Sequence, residues 1–122
     1  MKPVLIRAGE GDEHGYDWGS NTWIVAHERE NSETMTLGHS VIKAGQTNPR
    51  HYHPNCDEVL YLLSGSLEQY IDGQVFILEP GDTVTIPQDA VHQARALGRE
   101  DAVALVMYSS AQREFVPVSP LA

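Results

Sequence analysis

The 122-residue sequence has a single cysteine, few basic residues and no long hydrophobic run. A lone cysteine, Cys56, cannot form a disulfide within the chain, and such a composition is typical of a reducing compartment. No apolar stretch approaches the roughly 18 residues of a membrane-spanning helix. Residues 1–7 also lack the apolar core of a signal peptide. We therefore expect a cytoplasmic protein that has no membrane partner.

The shortage of basic residues restricts the possible partners further. Eight Lys and Arg stand against seventeen Asp and Glu, which gives a formal net charge of −9. Binding to nucleic acid or to an anionic membrane requires a basic face, so neither partner is expected. The hydrophobic content of 41% and charged content of 20% are ordinary for a globular protein. The length suits one domain with a real core, and the expected partner is a small molecule.

Short apolar stretches separated by turn residues run along the whole chain, and no window has a helical stripe. The predicted strands are 4–7, 22–26, 35–42, 51–53, 58–63, 66–71, 74–78, 83–86, 92–96 and 102–108. Asp72-Gly73 predicts a two-residue hairpin turn. The polar segments 9–20 and 28–33 are predicted loops, and the tail after Ser109 is irregular or at most an edge strand. This pattern predicts an all-β sandwich or barrel, such as a double-sheet jelly roll.

Two segments carry residues suited to binding a metal. His51, His53 and Glu58 lie in the first segment, and His92 lies in the second. Imidazole nitrogens combined with one carboxylate oxygen suit a divalent transition metal. Because His51 and His53 are two residues apart, their side chains leave the same face of a strand. Glu58 begins the next apolar run, from which a neighbouring strand could return its carboxylate to the imidazoles. The pattern predicts a metal site on a sheet.

The spacing of these residues resembles the two sequence signatures of the cupin family. The first signature is matched by Gly45, His51, His53, Glu58 and Gly65, and the second by Gly81, Pro87 and His92. Asp89 and Ala96 stand where the second signature usually has glycine and asparagine. Aspartate tolerates left-handed backbone better than most residues, so the turn at Asp89 can survive. The fifteen residues 66–80 separate the signatures, as in the shortest cupins, and the resemblance covers about residues 35–108.

The resemblance implies one cupin domain over residues 1–122, an all-β double-stranded β-helix or jelly-roll barrel. Its core would span about 35–108, with N-terminal strands in 1–34 and a short tail over 109–122. It further implies a homodimer with an isologous interface, in which the apolar segment 4–6 could pair with a second subunit.

It also implies that one divalent transition metal is bound by His51, His53, Glu58 and His92. Iron, manganese, nickel, zinc, cobalt and copper all remain candidates, because affinity order alone does not choose among them. Four protein ligands on an octahedral ion would leave two positions for water or substrate. The alternative is a barrel that keeps these polar residues without metal. Burying three imidazoles and a carboxylate without a cation would be costly, which favours the metal.

Three further residues are candidates for contact with substrate. Alternation groups His39 with Leu37 and Val41 on an apolar and therefore inward face. There His39 could be a catalytic acid or base beside the metal, or a core histidine satisfied by a hydrogen bond. Gln69, a lone amide among aliphatic residues, could orient a ligand or bond to the backbone. Gln46 lies in the loop before the metal segment, where both substrate contact and a plain turn role fit.

Two functions from different classes fit this sequence. The first is a metal-dependent enzyme acting on a small oxygen-rich substrate, such as a carboxylate, a diketone or a sugar derivative. A redox metal would support dioxygenase-like chemistry, which we favour, whereas a Lewis acid would support an isomerase, lyase or decarboxylase. The resemblance implies all of these reactions, and a fold does not choose among them. The second function is a non-catalytic module that binds a small ligand or a metal.

Overall fold

The computed structural model describes residues 2–119, so Met1 and the last three residues of the predicted tail lie outside the described residues. Within that range the chain forms eleven β-strands and one 3-10 turn, His27–Arg29. The strands are β1 (Asp12–Tyr16), β2 (Gly19–Val25), β3 (Thr36–Ile42), β4 (His51–Tyr52), β5 (Glu58–Ser64), β6 (Ser66–Ile71), β7 (Gln74–Leu78), β8 (Thr83–Ile86), β9 (His92–Leu97), β10 (Ala102–Tyr108) and β11 (Val116–Pro117). None of the helical structure over residues 2–119 has the length and apolar character needed to cross a membrane.

The strands form two antiparallel sheets. One sheet has the order β1-β2-β3-β10-β5-β8, and the other has the order β11-β4-β9-β6-β7. Buried side chains of both sheets belong to one core cluster, which includes Leu62 of β5, Leu67 of β6 and Val106 of β10. The sheets therefore pack face to face, and the predicted all-β jelly roll is confirmed.

Alternation along the central strands sets the inner face of the sandwich. In β10 every second residue is buried, and these residues include Ala102, Ala104 and Val106. Ala94 of β9 faces the same interior. Because successive side chains of a strand point to opposite faces, this register turns one full set of small side chains inward. Alanine side chains fill less space than the valine, leucine and isoleucine side chains of an ordinary core, and this difference leaves room for an internal cavity.

Two edge features differ from the sequence prediction. Residues 4–7 form no strand, and Val4 and Leu5 are 54% and 70% exposed. Their apolar character suggested a strand, but no described strand pairs with them. Conversely, the predicted loop 9–20 contains β1, whose five residues are all exposed. β1 lacks a hydrophobic pattern because it lies at a sheet edge and is held by pairing with β2.

Two turns behave as their sequences predict. Asp72 and Gly73 both have positive φ, at 44° and 87°, as a two-residue hairpin between β6 and β7 requires. Asp89 adopts the left-handed conformation with φ 69°, so it replaces glycine at this turn. Its backbone N–H donates to the carbonyl oxygen of His53 at 3.0 Å. This hydrogen bond ties the turn before β9 to the first metal segment.

Gly65, between β5 and β6, is predicted to be far less tolerant of substitution than Gly73. Both residues have positive φ, so alanine should cost about 1–2 kcal/mol at either position. A methyl group on Gly65 would also collide with the carbonyl of Asp101, whereas nothing lies near Gly73. We expect Gly65→Ala to lower the free energy of unfolding by about 2–5 kcal/mol, because overpacking adds to the strain. Urea unfolding of both variants tests this, and equal losses would contradict it.

Candidate metal centre

The structure brings His51, His53, Glu58 and His92 together in the interior of the sandwich. His51 is the first residue of β4 and pairs directly with His92, the first residue of β9, in the five-stranded sheet. Glu58 opens β5 in the opposite sheet, so the site spans both layers. The four side chains are 2–7% exposed. One donor atom from each residue lies within 4.8 Å of all the others.

Backbone carbonyls hold the three imidazoles in one tautomer. Each ring places its Nδ1 within hydrogen-bond distance of a carbonyl oxygen, which can only accept. The acceptors for His51, His53 and His92 are the carbonyls of Pro49 at 2.6 Å, Glu114 at 2.7 Å and Ala90 at 2.9 Å. In each neutral imidazole the proton therefore resides on Nδ1, which leaves the Nε2 lone pair available to a metal.

The donor atoms at the centre fit a divalent cation. Nε2 of His53 and His92 and Oε1 of Glu58 are buried, and none of them has a hydrogen-bond partner among residues 2–119. Glu58 Oε1 lies 3.3 Å and 3.2 Å from the two nitrogens, but these contacts lack hydrogen-bond geometry. Buried polar atoms left in this state are costly, and a shared cation would satisfy them. Three imidazole nitrogens and one carboxylate oxygen suit a divalent transition metal.

Electrostatics prepares the site for positive charge. Burial opposes ionisation of Glu58, but the contacts with His53 and His92 outweigh it and lower the pKa of this carboxyl. Burial, helped by the charge of His92, lowers the pKa of His51 to about 3. At His92 burial acts in the same direction, but Glu58 outweighs it and raises the pKa. Without a metal, these shifts favour a carboxylate on Glu58, a neutral His51 and protonation of His92.

Metal binding should consequently weaken as the pH falls through the raised pKa of His92. A cation needs the unprotonated Nε2, so protons compete with it at a higher pH than for an ordinary histidine. Below that pKa the apparent affinity should fall about tenfold per pH unit if one proton is displaced. Calorimetric titration of Co²⁺ between pH 5 and 8, in buffers of different ionisation enthalpy, measures the affinity and the protons released. An affinity independent of pH would contradict this.

The raised pKa also has a consequence for the metal-free fold. Protonated His92 stabilises the folded state fully below its unfolded pKa of 6.5. This contribution is lost as the pH rises through the higher folded value.

The metal centre lies on the wall of an interior cavity of about 400 Å³. Its other walls are largely aromatic and aliphatic, and they include Trp18, Trp23, Leu60, Leu67, Tyr108 and Phe115. Several polar side chains also line it, namely Asn21, Ser40, Asn48, Gln69 and Arg113. A mainly apolar cavity of this size with a few polar groups is typical of sites for small organic ligands.

The structure places the other three predicted contact residues, His39, Gln46 and Gln69, in three different environments. His39 does not line the cavity, so the prediction that it faces inward is wrong, and its role as a catalytic acid or base stays a prediction. On β3 the inward residues are Thr36, Gly38 and Ile42. The glycine is required there because the ring of Trp23 packs directly over it. Because of this packing, the inward face of β3 carries the more polar set of alternating residues. Met35, which belongs to the other set, is 60% exposed.

The two glutamines differ from each other. Gln46 is exposed and lies outside the cavity lining, so the cavity gives no support to its substrate contact, which stays a prediction. Its backbone N–H donates to the carbonyl oxygen of Lys43 at 2.9 Å, which closes a turn over residues 43–46. Gln69 lines the cavity and is 1% exposed. Its Nε2 donates to the carbonyls of Gln93 and Tyr70 at 3.3 Å and 3.4 Å, so its contact with substrate stays a prediction.

Residues of the C-terminal segment were missed by the sequence analysis. Phe115 stacks on His51 with ring centroids 4.5 Å apart, and the carbonyl of Glu114 orients His53. The guanidinium of Arg113 lies 3.9 Å from the ring centroid of Trp23 and 5.2 Å from that of Tyr108. The segment is held there because β11 pairs with β4. The local sequence of this segment has neither a metal-ligand motif nor a strand pattern, so nothing in the sequence alone indicates that it reaches the site.

The fold and the site together define a jelly-roll protein whose interior can hold one divalent metal. The family model for the cupin domain matches residues 38–108. The chain belongs to the cupin family.

Comparisons with known proteins show several cupins that resemble this chain. It is 35% identical to polyketide synthase CurC of Streptomyces cyaneus over 102 residues, covering 84% of this chain and 66% of CurC. It is 29% identical to quercetin 2,3-dioxygenase of Bacillus subtilis, covering 76% of this chain but only 27% of that protein. The chain thus spans two thirds or less of these relatives.

Solved structures show the same fold. Oxalate decarboxylase of Lactobacillus farciminis superposes with a TM-score of 0.82 at 19% identity, covering 89% of this chain and 34% of that one. KdgF from Halomonas sp. superposes with a TM-score of 0.78 at 19% identity, covering 93% and 97% of the two chains. At this identity the likeness concerns the fold alone.

Proposed function

We propose that this cupin is a metal-dependent enzyme that acts on a small oxygen-rich molecule by dioxygenase-like chemistry. The observation that carries the proposal is the convergence of four buried donor atoms on the wall of a mainly apolar cavity of about 400 Å³. A site that only stabilised the fold would need no such cavity beside it. The similarity to a quercetin 2,3-dioxygenase and to a polyketide synthase protein supports a substrate rich in oxygen.

Two kinds of donor atom would hold the metal. The Nε2 atoms of His51, His53 and His92 are left free by the carbonyl contacts at Nδ1, and Glu58 adds a carboxylate oxygen. When bound, a divalent transition metal supplies a Lewis acid and, if it is redox-active, a route for electrons. The aromatic and aliphatic walls exclude water from the substrate. Tyr108 contributes a hydroxyl, because burial, reinforced by the charge of Glu58, raises its pKa well above the usual value and keeps it protonated.

A redox-neutral isomerase, lyase or decarboxylase is the second candidate. It is favoured by the same hydroxyl of Tyr108, a protonated donor on the cavity wall beside the carboxylate of Glu58. Such a group can deliver a proton to a carbanion or enolate of the substrate without any oxidant.

Oxygen dependence separates these candidates. Protein purified without added metal is first analysed for bound metal and then offered phenols, 1,3-diketones and hydroxy acids in air and under argon. We expect oxygen uptake that requires substrate and is lost in Glu58→Gln, which removes the charge of one donor while keeping its shape. Turnover under argon would favour the redox-neutral candidate. Ligand binding without turnover in either atmosphere would favour a non-catalytic module.

The homodimer and the cytoplasmic location stay predictions. Light scattering checks the first of them, since a dimer has twice the mass of the 122-residue chain.

A further inference from the structure

We infer that Arg113 is a specificity-determining residue that binds an anionic oxygen of the ligand, such as a carboxylate or phenolate. This inference rests on the proposed function insofar as that ligand is the substrate. The net charge of the chain is −9, yet this arginine lines the cavity that also holds the candidate metal ligands. With a metal bound by the four donor residues, the cavity would present two separate positive elements to a ligand, the metal and the guanidinium.

The position of Arg113 is set by stacking rather than by ion pairing. Its guanidinium carbon lies 3.9 Å from the ring centroid of Trp23 and 5.2 Å from that of Tyr108. Stacking uses the faces of the guanidinium plane and leaves the N–H donors at its edge available. Those edge donors match the two oxygens of a carboxylate.

The fold itself does not use these donors. Over residues 2–119, no carboxylate lies within ion-pair distance of Arg113, and no hydrogen bond from its side chain is formed. Arg95 and Arg29, by contrast, bond to Glu68 and to the carbonyl of Glu10. Arg113 is half-buried, and a cation against aromatic walls is stabilised further by an anion, which a ligand oxygen can supply.

A second group shows that the cavity is built for a polar ligand. Gln69 is 1% exposed, and its Oε1 has no hydrogen-bond partner in the described part of the chain. Its Nε2 already donates to two backbone carbonyls, which leaves Oε1 as an acceptor at the cavity wall. The matching ligand therefore combines a hydroxyl with an anionic oxygen.

The test compares two probes of nearly the same shape, 4-hydroxybenzoate, which carries an anionic carboxylate, and 4-hydroxybenzamide, which carries a neutral amide in its place. Their affinities are measured by quenching of tryptophan fluorescence, with the metal-loaded protein and again in the presence of a chelator. We expect the carboxylate to bind about 10- to 100-fold more tightly than the amide, as for a hydrogen bond between charged groups. The preference should persist with the chelator, because Arg113 and not the metal produces it.

Three variants complete the design. In the presence of the chelator, Arg113→Met should reduce the preference to about one, and Arg113→Lys should keep part of it, because the charge remains while the planar fork is lost. Arg50→Met is the matched control, since Arg50 also stacks on an aromatic ring, that of Tyr70, but lies outside this cavity. It should keep the full preference.

The inference is overturned if the wild-type protein does not prefer the carboxylate or if Arg113→Met leaves the preference intact. Should Arg113→Met fail to fold, an undiminished preference in Arg113→Lys would overturn the bidentate role. Absence of bound metal or of turnover, with the preference intact, would count against the proposed function and leave the anion site standing.

Discussion

Replacing His92 by alanine is expected to empty the metal site. His92 is 2% exposed, supplies one of the four converging donor atoms and is oriented by the carbonyl of Ala90. Losing a ligand should weaken affinity by at least the roughly 100-fold seen when a residue that only orients a ligand is lost. After dialysis, the wild type should retain about one ion per chain, whereas the metal content of His92→Ala should be near zero because the weakly bound ion is lost to the buffer.

His39→Ala is the matched control for this experiment. It removes the same side chain from the outward face of β3, where the structure places it away from the donor atoms. Its metal content should equal that of the wild type. Full metal retention by His92→Ala, or metal loss in His39→Ala, would contradict the site described here.

Binding of the metal is expected to raise the melting temperature by about 10 °C. A ligand present at about 100 times its Kd and bound only by the folded state stabilises that state by about 2.7 kcal/mol. For a domain of this size, each kcal/mol shifts the midpoint by roughly 4 °C. The physical reason is local, because the cation would satisfy three buried donor atoms that have no hydrogen-bond partner among the described residues, 2–119. Thermal unfolding with and without a chelator measures the shift.

Glu58→Gln should abolish most of this shift. The amide has nearly the shape of the carboxylate but lacks its charge, so the variant tests the charge of the fourth donor rather than the packing. His39→Ala should show the full shift. The wild-type protein could bind one ion per chain and still melt at the same temperature with and without it. That result would contradict this explanation, because a ligand that binds only the folded state must stabilise it.

The four donor residues could be predicted from strand period together with their match to the two cupin signatures. His51 and His53 are two residues apart, Glu58 begins the next strand, and His92 begins a strand that pairs with His51. Only the first of these relations depends on strand period, which the sequence displays directly. Glu58 lies in the opposite sheet and His92 is far from His51 in the sequence, so their match to the cupin signatures is what indicates them. The same short periods predicted most of the strands and the two-sheet jelly roll.

The face of β3 could not be predicted in the same way. Alternation divides Met35, Leu37 and His39 from Thr36 and Gly38, but does not say which set faces inward. The sequence favours the more apolar set for the inward face. The structure places that set outward, because the ring of Trp23 packs against Gly38 where any larger side chain would collide with it. A contact between two strands decided the question, and no window of one strand contains it.

The sequence by itself determined the all-β class, the metal-binding chemistry and the four residues that could supply it, because periods of two and short motif spacings are local properties. Only the tertiary structure decided that Arg113 and Phe115 reach the same cavity and that His39 does not. Those placements depend on the pairing of β11 with β4 and on the packing of Trp23. Long-range contacts of this kind leave no periodic trace in the sequence.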